Sequence, residues 1–132
     1  MFNLRKETEC AIFLLKYLGK NKKDSVSLKT VAKNLDLSFL FLQKIARKLR
    51  QGGLISASQG VHGGYNLDVL PTKLNLRKIL EVMQDDCLLL ECMRKGKNDC
   101  PKYKKCSVRI GLEKLNKKVI KMMEEVLSLI HI

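Results

Sequence analysis

Residues 27–53 constrain the fold of this chain more than any other stretch. Ser27 stands ahead of Leu28–Leu35, a short segment whose Val31, Ala32 and Leu35 share one helical face. Ser38 stands ahead of a second segment, Phe39 to Gln51, ending at Gly52-Gly53. A hydroxyl just before an apolar periodic run is a helix N-cap signal, because it accepts a bond from one of the first turn's orphan amides. The second segment places Leu42, Ile45, Ala46 and Leu49 on one side and Gln43, Lys44, Arg47, Lys48 and Arg50 largely on the other. Two short helices about three residues apart, the second basic on its outer face, form a helix-turn-helix pattern.

The flanking segments extend this frame. Before it, Ala11, Leu14, Leu15 and Leu18 mark an amphipathic helix over residues 7–19, with Gly19 as the expected C-cap. After it, Leu54–Ser58 and Tyr65–Leu67 read as strands around Gly60-Val61-His62-Gly63-Gly64, so residues 54–67 form a hairpin, the wing. Tip glycines there suit a tight turn with positive φ and close approach to a sugar-phosphate rail. Asn75 caps a helix holding Leu76, Ile79, Leu80 and Met83. From Ser107 a long helix carries Leu112, Leu115, Val119, Met122 and Val126 at 3-4-3-4 spacing, the seam of a helix that packs lengthwise on another. The expected architecture is mainly α with one β-hairpin: a winged helix-turn-helix domain over 1–84, a cysteine-bearing loop over 85–106 and a dimerisation helix over 107–132. The terminal Leu127–Ile132 reads as the translation of a transposase sequencing adapter, so His131 is kept out of the site.

Charge points to the partner. The chain carries 26 Lys and Arg against 13 Asp and Glu, a net +13, and residues 1–50 alone hold 12 against 4. A localised basic excess fits a polyanion, whereas an even one would fit a merely solvated surface. No apolar run approaches the roughly 20 residues of a membrane span, and the N-terminus has no signal-peptide core, so a cytoplasmic protein is expected. No Ser/His/Asp set, carboxylate pair or phosphate-binding glycine loop argues for an enzyme.

On the helix-turn-helix, Ser38, Gln43, Lys44 and Arg47 supply the polar end and basic flank that base edges and phosphates require. Gln43 is either a reader of adenine or an ordinary solvated position. Of Phe39, Leu40 and Phe41, at least one must be exposed and could meet a thymine methyl. Lys29 joins the candidates from the preceding helix.

Five cysteines in a chain of intracellular character raise metal or redox chemistry over a disulfide framework. Cys92, Cys100 and Cys106 share one loop, separated by seven and five residues, among the cations Arg94, Lys95, Lys97, Lys102, Lys104 and Lys105. Those cations would offset thiolate charge or simply solvate the loop. Spacing alone does not choose the metal: zinc would want a fourth Cys or His, and the remaining His62 sits in the wing. Cys10 and Cys87 read as small core residues.

Three stretches, Leu37-Ser38-Phe39-Leu40-Phe41-Leu42-Gln43-Lys44, Leu49-Arg50-Gln51-Gly52-Gly53-Leu54-Ile55 and Gly60-Val61-His62-Gly63-Gly64-Tyr65, together resemble the bacterial winged-helix regulator family typified by IscR, NsrR and CymR. The resemblance runs over nearly the whole chain. It implies a homodimeric, DNA-binding transcriptional regulator that reads a double-stranded operator with the second helix and with wing residues Gln59, His62, Gly63 and Gly64. The family's usual wing Arg is Gln59 here, and its Pro-Gly is Val61-His62. The resemblance also implies an iron–sulfur cluster, two-iron or four-iron, on Cys92, Cys100 and Cys106, sensing nitric oxide, iron or redox state. IscR-like members carry a His three residues after the last Cys; Arg109 stands there in this chain. NsrR-like members use an acidic residue near the start of the first helix from the other subunit, the place of Glu9, which could equally be a first-turn carboxylate favoured by the helix dipole. A direct thiol switch without cluster, or a zinc-stabilised interaction module, are the competing readings.

Overall fold

The computed structural model describes residues 3–21, 23–85, 88–94 and 100–126. Its elements, in order, are α1 (Lys6–Lys20), α2 (Leu28–Leu35), α3 (Phe39–Gln51), β1 (Ile55–Ser58), β2 (Gly64–Leu67), α4 (Leu76–Val82) and α5 (Ser107–Glu125), with single 3-10 turns at Pro71–Lys73, Glu91–Met93 and Tyr103–Lys105. The expected mainly helical architecture with one antiparallel hairpin is what the chain forms. No helix among the described residues is long and apolar enough to cross a membrane.

All three hydroxyl or amide caps are made. Ser27 Oγ accepts from Thr30 N at 3.2 Å, Ser38 Oγ from Phe41 N at 3.4 Å and Asn75 Oδ1 from Lys78 N at 2.9 Å. The Gly19 expectation is corrected: Gly19 lies inside α1, whose cap is Asn21, with its amide on Leu18 O and its side-chain amide on Tyr17 O. A side chain that closes the last turn removes the need for a glycine there. Between α2 and α3, Asp36 takes the left-handed conformation at φ 52°, and Leu37 N donates to Ala32 O. Just past the end of α3, Gly53 takes a φ of +75°, which lets Leu54 N reach back to Leu49 O.

One core joins the elements. Leu14, Leu15 and Leu18 of α1, Val31 of α2, and Leu42, Ile45 and Leu49 of α3 are buried with Leu54, Ile55, Leu74, Ile79 and Met83. Gly52 lets α3 close on α4, since a Cβ there would stand 2.5 Å from Val82. β1 and β2 pair from Ile55 with Leu67 to Ser58 with Gly64. Beyond the expected hairpin, Val26 exchanges both backbone bonds with Tyr65, at 3.0 and 2.8 Å, which ties the wing to the start of α2. α5 returns antiparallel along α4, with Met123 buried, Arg77 bonded to Glu124 and Leu76 N donating to Val126 O.

Candidate nucleic-acid interface and cysteine segment

Burying Leu42, Ile45, Ala46 and Leu49 turns the opposite side of α3 outward. Leu40, 76% exposed, stands there with Gln43, Lys44, Arg47 and Arg50. These residues, Gln51 and Tyr65 of the wing line a concavity of about 840 Å³. Leu40 is thus the exposed member of its apolar triplet, while Phe39 and Phe41 are half-buried against the core. Lys29 Nζ sits 5.8 Å from the Phe39 ring centroid, a cation–π contact between α2 and α3. Ser38 serves its cap from an exposed position.

At the wing tip Gln59, Val61 and His62 are exposed, Val61 almost completely. Gly63 and Gly64 meet a requirement internal to the protein rather than one set by a ligand. A Cβ on Gly63 would lie 2.6 Å from Ser58 O, and one on Gly64 would lie 2.6 Å from Val26 O, inside the bridge that holds the wing.

Sequence reasoning missed Glu7. From the first turn of α1 its two carboxylate oxygens accept from Lys44 and Lys48 of α3, each at 2.7 Å. Those two hydrogen bonds hold the carboxyl at a pKa of about 2. Nothing in the spacing of residues 37 and 41 apart signals this pairing. Arg50 and Tyr65 were also absent from the expected set, although Arg50 lies one helical turn from Arg47.

The cysteine segment is pinned at three points. At its start, Asp85 accepts from the buried Thr8 hydroxyl at 2.7 Å and from Arg5 N at 3.1 Å, and pairs with the Arg5 guanidinium at 3.5 Å. Leu89 N donates to Oδ1 of Asn116, buried on α5, at 3.0 Å. Near its end, Arg109 lies over the Tyr103 ring, 4.3 Å from its centroid, donates to Tyr103 O at 3.2 Å and pairs with Glu113. Arg109 therefore fastens the end of the segment, three residues after Cys106.

Cys92 is half-buried in the turn Glu91–Met93, Cys100 is exposed, and Cys106 caps α5 with Sγ accepting from Arg109 N at 3.4 Å. Cys100 and Cys106 line one cavity of about 840 Å³ with residues 101–105, 107 and 108; Cys92 is not part of that lining. Glu9 is exposed on α1 and paired with Lys6 at 3.3 Å. Among the described residues no three His, Cys, Asp or Glu side chains gather closely enough to hold a metal ion. One protomer thus places two of the expected thiols on the lining of one cavity, which neither Cys92 nor Glu9 joins. Three thiols on one segment remain a donor set suited to an iron–sulfur cluster. Cys10 is fully buried, as expected, and burial pushes its thiol pKa up. Cys87, Lys95, Gly96, Lys97 and residues 127–132 lie outside the described residues.

α5 presents two apolar surfaces. Asn116 and Met123 face inward, and Leu112, Val119 and Val126 are half-buried. Val108, Leu115 and Met122, seven residues apart, are 63%, 48% and 65% exposed. The expected seam therefore divides, its outer row being Leu115 and Met122 continued to Val108.

Comparison with known proteins agrees with this geometry. Residues 4–128 match the profile of Rrf2, described as an iron-dependent transcriptional regulator. The chain is 30% identical over 111 residues to the protein aau3 of Rhizobium meliloti, covering 84% of this chain and 72% of that one. It is 27% identical over 124 residues to the transcriptional regulator NsrR of Oceanobacillus iheyensis, covering 93% and 84%. The solved structure of CymR, the global cysteine regulator of B. subtilis, superposes with a TM-score of 0.75 at 21% identity over 99% of this chain and 97% of that one.

Proposed function

The chain belongs to the Rrf2 family of transcriptional regulators, and from that premise we propose that it reads operator DNA as a homodimer under the control of an iron–sulfur cluster. As a member of that family it is a regulator of transcription and not an enzyme. In the proposed division of labour, residues 1–84 read DNA, 85–106 carry the cluster and 107–132 join the protomers.

One observation carries the DNA reading: α3 exposes Gln43, Lys44, Arg47 and Arg50 beside a wing whose tip is free. An exposed helix of this width fits the major groove, where Gln43 and Leu40 meet base edges and the arginines meet phosphates. Lys29, Ser38 and Phe39 flank that edge, and Gln59, His62, Gly63 and Gly64 follow the adjacent backbone. Two such helices must stand about one helical turn apart, ~34 Å, which requires a dimer.

Cys92, Cys100 and Cys106 would hold the cluster, with Glu9 of the partner subunit as fourth ligand. The family's iron dependence and the three thiols of the segment support this. A bound cluster would supply iron that reacts with, or is lost to, the signal. The protein's own part is mechanical. Its cysteine segment is tied to α1 through Asp85 and to α5 through Asn116 and Arg109. A change in that segment therefore bears on both the DNA-reading domain and the dimer helix, and operator affinity follows the difference in stability between the two arrangements.

Binding of a mixed-sequence duplex should weaken with salt, and Arg47→Ala should flatten that dependence by about one unit per lost phosphate contact. Gln43→Ala should instead relax base preference at one position by roughly 1–3 kcal/mol. Affinity indifferent to salt would refute the DNA reading. Anaerobic reconstitution should give an iron-containing, coloured protein, and Cys92→Ala, Cys100→Ala or Cys106→Ala should each abolish the colour, while Cys10→Ala and Cys87→Ala keep it. The cavity shared by Cys100 and Cys106 favours the direct thiol switch as the second reading. In it the two thiols lose two electrons and two protons to a peroxide and join as a disulfide. A wild type that binds no iron yet changes DNA affinity on peroxide treatment would select it.

A further inference from the structure

The DNA-reading helix is held by an anion from its own protomer. Glu7 lies between α1 and α3 with its side chain only 21% exposed, and both of its oxygens are taken, one by Lys44 and one by Lys48, at 2.7 Å. Of the four basic residues on α3 (Lys44, Arg47, Lys48 and Arg50), two are engaged by this single carboxylate. Arg47 and Arg50 have no ion pair among the described residues and are exposed. The three charges of Glu7, Lys44 and Lys48 sum to +1, so the helix offers DNA one positive charge fewer than its sequence suggests.

We propose that Glu7 is a positioning residue for DNA reading, which holds Lys44 and Lys48 at the α1 edge of α3, withholds them from phosphates and leaves the backbone contacts of that helix to Arg47 and Arg50. The proposal rests on the DNA-binding reading above. Its physical basis is that phosphate neutralisation releases counterions in proportion to the charge a protein brings, irrespective of base sequence. Two lysines sharing one carboxylate bring one charge fewer than two free ones. Lowering this sequence-independent attraction leaves a larger share of affinity to Gln43 and Leu40, and specificity is a difference of affinities. The pairing also fixes where the lysine stems lie, so that the outer face of α3 is open for base contact.

The experiment measures fluorescence anisotropy of a labelled 30-base-pair mixed-sequence duplex over a salt series, about 50–200 mM. The proteins are wild type, Glu7→Gln, Glu7→Asp, Glu7→Gln combined with Lys44→Ala, and Arg47→Ala. Glu7→Gln should bind this duplex more tightly, by roughly 5–10-fold at 0.1 M salt, with the salt slope steeper by about one. Glu7→Asp keeps the charge and should keep the wild-type slope. Adding Lys44→Ala to Glu7→Gln should return the slope toward wild type, which loss of a merely structural contact would not do. Circular dichroism melting confirms that each variant is folded at the assay temperature. Glu7→Gln that is folded and shows the wild-type slope, or binds more weakly, overturns the proposal. If wild type itself shows no salt-dependent binding, the DNA reading fails; if wild type and Arg47→Ala behave as stated and only Glu7→Gln does not, this inference alone fails.

Discussion

Replacing Leu115 with Ala tests the proposed homodimer where it is most exposed to failure. Leu115 is 48% exposed in the single chain, Val108 63% and Met122 65%, and the three stand seven residues apart on α5. Complete burial of such a side chain is worth roughly 1.5–3 kcal/mol, so covering the part still open adds about 1 kcal/mol for each. Three side chains on each of two protomers then contribute about 6 kcal/mol, a part of what a dimer needs, the contacts around the row supplying the rest that offsets the cost of association. Leu115→Ala removes its share from both protomers at once. The loss is about 2 kcal/mol per dimer, or roughly 30-fold in Kd. Sedimentation equilibrium over about three decades of concentration centred near 1 μM measures it directly. Leu115→Glu should give monomers with sharply weaker operator binding, because it places two like charges at the seam. The inward Met123, 9% exposed and packed toward α4, provides the contrast: Met123→Ala should lower thermal stability more than dimer affinity. A wild type that stays monomeric throughout, or a Leu115→Ala dimer as tight as wild type, would refute the seam.

Three further outcomes are expected. Thr8→Val keeps the shape of a fully buried side chain but removes the donor to Asp85; it should cost about 1–2 kcal/mol and lower Tm by on the order of 3–8 °C, and an unchanged melt would show that Arg5 alone holds Asp85. Gly64→Ala drives a Cβ to 2.6 Å from Val26 O, so urea unfolding should show a loss of roughly 1–3 kcal/mol, and the Val26 amide should exchange faster with deuterium. Alkylation of the folded, metal-free protein followed by mass spectrometry should label exposed Cys100 first and leave buried Cys10 unlabelled until denaturant is added; early labelling of Cys10 would contradict the core placement.

Local order along the chain determined much of this molecule. Ser27, Ser38 and Asn75 announce their helices because a cap acts within three residues, and Leu42, Ile45, Ala46 and Leu49 announce the buried side of α3 because helical period depends on neighbours alone. The hairpin, the cysteine segment and the long last helix are legible for the same reason, and with them the family. Tertiary structure decided what depends on partners distant in sequence. It gave Gly64 its purpose through Val26 and set Glu7 between Lys44 and Lys48. It also split the α5 repeat into a half-buried row, Leu112, Val119 and Val126, and an outward row, Leu115 and Met122, since period shows which residues share a face but not which faces α4 has already covered. Such pairings are set by how helices cross in space, and residues 37 or 41 positions apart carry no mark of it in their order.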